Sequence, residues 1–273
     1  MIDARSSQFS NRIARRSGRR TCVLVASAVA ALCFHSAANA GQTPSYTDPA
    51  KHQVECEKDT PTNRAIRGCT DLEKNPAADP GVRIRAYSMR GFSWLKDEAP
   101  EAAIADFSRI IAIDSDNPTA YKGRAWAYER LYRYADAIKD WTRLIELKPG
   151  DAELHRERAY TYHLDRKYSL AVDDFTRVLE LDEKNLDSRI GRALAYDALD
   201  KLPEALADFE QALQLNPEYT AVFVARGEMW ERRTDHKKAV ADYQRAYRLG
   251  ATGNRVRSAL ARLGSEPPGE KTQ

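Results

Sequence analysis

Arg90, Arg124, Arg158, Arg192 and Arg226 stand 34 residues apart, and Asp106, Asp140, Asp174, Asp208 and Asp242 keep the same interval. An arginine fork can bond a carboxylate bidentately. One such pair per 34 residues, carried on facing helices, makes a structural ladder of ion pairs. Partly buried pairs of this kind specify packing more surely than they add stability. A charged binding stripe is the other chemistry the two columns could support, and the ladder is the reading preferred here. Other reactive groups are sparse. His155 and His163 lie eight apart with no metal-ligand partner at helical spacing, so they read as surface histidines. The chain has no HExxH, GxSxG, P-loop or CxxC motif, so no enzyme, metal or cofactor is expected.

The columns must sit on something. Gly91, Ala125, Ala159, Ala193 and Gly227 each follow the arginine; Trp94, Tyr128, Tyr162, Tyr196 and Trp230 come three residues later. Ala103, Ala137, Ala171, Ala205 and Ala239 open a second stripe, and Phe107, Trp141, Phe175, Phe209 and Tyr243 follow the aspartates. Each 34-residue unit therefore holds two apolar stripes at helical spacing, separated by a short polar turn such as Arg130–Arg133. Small residues let two antiparallel helices approach closely, and the aromatics fill the remaining space. A single hairpin cannot bury its apolar face alone, so the units must stack.

The first 40 residues differ in character. They hold six of the 43 basic residues and one acid, leaving 37 basic against 39 acidic residues in the remainder. That balance does not indicate a nucleic-acid binder. Arg15–Arg20 precede an apolar run, Thr21–Phe34, and Ala38–Asn39–Ala40 offers small residues before Gly41. This reads as an export signal, residues 1–40, cleaved after Ala40. The run has 14 residues, whereas a membrane span needs about 20; an uncleaved anchor is the alternative. The mature chain would then be periplasmic or secreted, with no membrane span. Cys22 and Cys33 would leave with the signal, so Cys56 and Cys69 would remain. In an oxidising compartment these favour one disulfide, worth about 3 kcal/mol for so short a loop; two free thiols are the alternative.

The repeat resembles the tetratricopeptide repeat (TPR) family over Ile84 to about Gly253, as five units at 84–117, 118–151, 152–185, 186–219 and 220–253. The family often has Leu where this chain has Arg90 and its counterparts. The resemblance implies an all-α fold, a right-handed superhelical solenoid of antiparallel helix pairs. Residues 41–83 would form an N-terminal segment with a half-repeat cap, in which Ala65 stands in the alanine column and Cys69 in the aromatic one. Residues 254–264 read as a C-terminal capping helix and 265–273 as a disordered tail.

In that family, the column after the small residue lines the concave face. Here it holds Phe92, Trp126, Tyr160, Leu194 and Glu228, with Lys122, Arg156, Arg130 and His163 nearby. The candidate peptide-binding groove is therefore Phe92, Lys122, Trp126, Arg130, Arg156, Tyr160 and His163, with an aliphatic and acidic C-terminal end. Packing between neighbouring first helices is the other reading of these rings. The family's carboxylate clamp is absent, because Trp126 occupies its Asn place. The function expected is a non-catalytic scaffold or adaptor for a protein or peptide partner. A self-associating structural module, with homo-oligomers, and a small-ligand or glycan binder are the alternatives.

Overall fold

A computed structural model describes residues 69–70 and 78–269. Among them every regular element is a helix. In chain order these are α1 (Pro80–Lys96), α2 (Pro100–Ile113), α3 (Pro118–Arg130), α4 (Tyr134–Leu147), α5 (Ala152–Leu164), α6 (Tyr168–Leu181), α7 (Leu186–Ala198), α8 (Leu202–Leu215), α9 (Thr220–Arg232), α10 (His236–Arg248) and α11 (Asn254–Arg262). The protein is all-α. No described helix is long and apolar enough to cross a membrane. The proposed signal, Cys56 and the tail beyond Gly269 lie outside the described residues.

Five of the described helices begin at a capping side chain. Asp79 accepts from the Gly81 and Val82 amides ahead of α1, with Pro80 at its first position. Asn117 accepts from Ala120, Asp151 from Glu153, Asn185 from Ser188 and Asp235 from Lys238. Each satisfies an amide that the first turn leaves without a partner. The turns inside the helix pairs share a different device. Glu98, Tyr132, Arg166, Asp200 and Thr234 all have φ between 58° and 61°. That left-handed conformation reverses the chain tightly but is unfavourable for a residue with a Cβ.

The chain divides into two compact units after Ala127, within α3. In the first, α1 packs against α2. The Phe107 ring is fully buried there with Ala103 and Ile110. It lies against the backbone of both Gly91 and Gly123, where an added Cβ would approach its Cζ to 2.9 and 2.3 Å. Cys69 is buried against Ala86, with Val82 and Met89 around them.

In the second unit α5 pairs with α6, α7 with α8 and α9 with α10. Contacts also join α4 to α5, α6 to α7 and α10 to α11. Trp141, Phe175, Phe209 and Tyr243 are buried, and so are Ala171, Ala205 and Ala239. Phe175 presses on Gly191 of the following first helix, where a Cβ would come within 2.4 Å of the ring. Phe107 and Phe175 thus each press on a glycine of the next repeat. Each fully buried ring contributes about 2–3 kcal/mol by leaving water. Helix α11 buries Val256, Ala259 and Leu260 on this unit.

Candidate protein-interaction surface

Arg90, Arg158 and Arg192 of the 34-residue column each do two things, and Arg226 and Arg124 each show one of them. Arg90 donates from Nε and Nη2 to the Asp106 carboxylate at 2.8 and 2.6 Å. Arg158 binds Asp174 at 2.7 and 2.9 Å, Arg192 binds Asp208 at 2.8 and 2.7 Å, and Arg226 binds Asp242 at 2.8 and 2.7 Å. The third nitrogen reaches back to the preceding second helix. Arg158 Nη1 donates to the Thr142 hydroxyl, Arg192 Nη1 to Thr176, and Arg124 Nη1 to Ser108. Arg90 Nη1 donates to Thr70, which follows Cys69 as Ser108 follows Phe107. One guanidinium therefore ties three helices. The bonded carboxylates raise the affinity of Arg158, Arg192 and Arg226 for their protons, against the opposing effect of burial. Arg124 and Asp140 belong to different units.

The first unit gathers Phe92, Lys122 and Trp126. The Phe92 ring stands edge-on to buried Phe107, centroids 5.1 Å apart, and to Trp126 at 6.5 Å. Lys122 Nζ sits 5.1 Å from the centre of the Trp126 ring, a favourable cation–π distance. All three side chains are half-buried. Phe92 and Trp126 thus make ring contacts inside the repeats while keeping part of their surface exposed.

The second unit holds the remaining four. Tyr160 stands edge-on to Phe175 at 5.1 Å. Burial, and then the Asp187 charge, push its hydroxyl pKa up. Arg156, one turn before Tyr160, pairs with Glu153. Burial opposes its charge, but Glu153, Tyr160 and Glu157 outweigh it. Arg130 is exposed at the last residue of α3. His163 is half-buried against the Tyr168 ring, centroids 5.1 Å apart. Burial, and then the Arg232 charge, lower its pKa to about 4.

The histidines correct the sequence reading. His155 is buried, not on the surface. Its Nδ1 lies 3.2 Å from Asp174 Oδ1 and its Nε2 3.3 Å from the Pro149 carbonyl oxygen. His163 is half-buried. Their partners come from the next helix and the preceding loop, which helical spacing alone does not reveal.

The carboxylates of the acidic C-terminal end are paired within the chain. Asp197 accepts from Arg232 at 2.8 Å and Arg233 at 2.6 Å. Glu228 accepts from Arg255 at 2.6 Å, and Glu231 from Arg262 at 2.9 Å and from the Tyr243 hydroxyl at 2.8 Å. These carboxylates are matched by arginines of the following helices, so they tie repeats together. Glu129 is buried; it accepts from Trp141 Nε1 and from the Thr161 hydroxyl.

A tetratricopeptide-repeat family model matches residues 122–185, and a second matches residues 187–219. The chain carries tetratricopeptide repeats. Solved structures of similar fold include MamA of Desulfovibrio magneticus RS-1, 19% identical, with 63% of this chain and 97% of that one covered and a TM-score of 0.54. TTC0263, a thermophilic TPR protein of Thermus thermophilus, is 17% identical over 66% of this chain and 98% of that one, with a TM-score of 0.53. PilF of Pseudomonas aeruginosa is 16% identical over 68% and 84%, also at 0.53. At these identities the likeness concerns the fold. No curated protein matches the sequence.

Tetratricopeptide repeats serve in general as protein-interaction scaffolds. Aromatic rings and arginines carry binding energy at interfaces because they bury much area at small entropic cost. Among the described residues, no group of three His, Cys, Asp or Glu could hold a metal ion.

Proposed function

We propose that the chain is a non-catalytic adaptor binding a protein or peptide through the first helices of its repeats. Phe92, Lys122 and Trp126 form one contact cluster in this reading. Arg156, Tyr160 and His163 form another, with Arg130 at its edge. The observation that carries the proposal is the seating of the rings. Phe92 and Tyr160 each rest edge-on upon a buried Phe, at 5.1 Å. A ring already oriented loses little freedom when a partner covers it. An extended or helical peptide suits such a face.

We also propose that the chain is exported, with cleavage after Ala40, and that Cys69 pairs with Cys56. Burial of Cys69 against Ala86 suits a half-cystine that staples an N-terminal cap to α1. N-terminal sequencing of the envelope form that returned Met1 would refute the cleavage. Non-reducing mass spectrometry showing two thiols would refute the bridge.

Affinity capture from an envelope extract tests the adaptor reading. The bait is the full chain, beside a Trp126→Ala/Tyr160→Ala variant whose helix content is checked by circular dichroism. Partners retained by the parent and lost by the variant support it. Partners captured equally by both overturn the site, and capture of further copies of the chain alone moves the reading to self-association.

A further inference from the structure

Positive charge is concentrated at one end of the chain. Residues 236–263 hold seven Lys and Arg against one acid, Asp242, whereas residues 202–235 hold seven acids against three arginines. Asp242 is already taken by Arg226. Arg255 and Arg262 are taken by Glu228 and Glu231. Lys237, Arg245 and Arg248 are exposed, and their spacing along α10 puts them on one stripe of that helix. Among the described residues these three make no ion pair. Arg257 of α11 donates to the Tyr247 hydroxyl of α10 at 3.2 Å while its own side chain stays exposed.

The equivalent surface of the second and third repeats is built differently. Arg143 pairs with Glu146 at 2.9 Å, and Arg177 with Glu180 at 2.8 Å, each three residues apart. Stepping 68 residues on from Arg177 and Glu180 gives Arg245 and Arg248. An attractive pair has become a repulsive one at a solvent-exposed site, where neighbouring like charges cost stability. Arg245 lies over the Phe223 ring, 5.9 Å from its centre, which accounts for that arginine but not for Arg248 standing where the third repeat has Glu180. An anionic partner would account for Arg248.

We propose that the exposed face of α10, with Arg257 of α11, docks an acidic protein segment. The chemistry favours carboxylates. Three of the four cations are guanidinium forks, which bind carboxylates bidentately. A membrane surface fits less well, because none of the exposed large apolar side chains lies in residues 236–263 and a surface-seeking helix inserts such groups. A nucleic acid fits less well too, because the stripe offers no ring for base stacking beyond Tyr247, which Arg257 already holds. Lys237 to Arg248 spans about 16 Å of helix. That matches about five residues of extended peptide. The site shares no residue with the first-helix clusters, so either can fail without the other.

The test is fluorescence anisotropy of a labelled hexaglutamate peptide with the full chain at low salt. An Arg245→Glu/Arg248→Glu variant is compared with Arg143→Glu/Arg177→Glu, which changes net charge equally at equivalent positions. The expected result is saturable, salt-sensitive binding that weakens at least tenfold in the first variant and less than twofold in the second. Equal weakening in both, or no saturable binding, overturns the proposal. So does tighter binding of phosphatidylserine vesicles or of a single-stranded oligonucleotide than of the peptide. An Arg245→Gln/Arg248→Gln variant, with circular dichroism on all, guards against a folding effect.

Discussion

The Thr161 hydroxyl donates to the Glu129 carboxylate at 2.7 Å, both residues being buried and 32 positions apart. The same Glu129 oxygen accepts from Trp141 Nε1 at 3.1 Å. One carboxylate thus joins α3, α4 and α5. A buried donor that loses its acceptor keeps its desolvation cost. Glu129→Ala is expected to lower stability by about 2–3 kcal/mol in urea unfolding. Glu129→Gln, whose amide oxygen still accepts, should lose about half of that. Equal losses would mean the hydrogen bonds are not what matters there.

Asp174 accepts from Arg158 twice and lies 3.2 Å from His155. Asp174→Ala leaves a half-buried guanidinium without its counter-charge, which should cost about 2–3 kcal/mol. Arg158→Lys should recover little, because one ammonium cannot reproduce the fork. Thermal unfolding of both variants is the check. An unchanged transition with partner binding abolished would assign the column to recognition instead.

Gly191→Ala puts a methyl group 2.4 Å from the Phe175 ring. Overpacking costs about 1–3 kcal/mol, and alanine's better helix propensity returns at most about 1 kcal/mol. A net loss of about 1 kcal/mol is expected by denaturant titration. Gly150, with nothing within 4 Å of an added Cβ, serves as the neutral control.

Thr234 has φ 61°, which a β-branched side chain tolerates poorly. Thr234→Gly should raise stability by about 1 kcal/mol despite glycine's larger entropy loss. Calorimetry that showed a lower Tm would mean the turn is not strained.

His163 has a folded-state pKa lowered to about 4, from an ordinary value of 6.5. Between those two pH values the unfolded chain binds more protons than the folded one. Stability is therefore present above pH 6.5 and is lost as pH falls towards 4, by an amount on the order of 2 kcal/mol. His163→Gln should flatten that slope. Parallel pH profiles for parent and variant would show that other groups cause it.

The helices and their order were legible because the period was. Columns such as Ala103–Ala239 and Phe107–Tyr243 repeat a spacing that only paired helices bury, and stacking follows from the apolar faces left over. The five left-handed turn residues also recur every 34 positions, yet they are Glu, Tyr, Arg, Asp and Thr. The backbone demands a conformation there without demanding a residue type, so the demand left no trace in the letters. Gly123 and Gly191 went unread for another reason. The rings that require them belong to the preceding repeat.

The sequence by itself determined the repeat, the all-α class and the candidate side chains of the first helices, because these depend on periodicity along one chain. The tertiary structure alone decided which charges are spent. Asp197 meets its cations 35 and 36 residues away, and His155 meets Asp174 on the next helix. Burial and pairing depend on which helices face each other across the stack. Local spacing shows which side of a helix a residue occupies, not what stands opposite it.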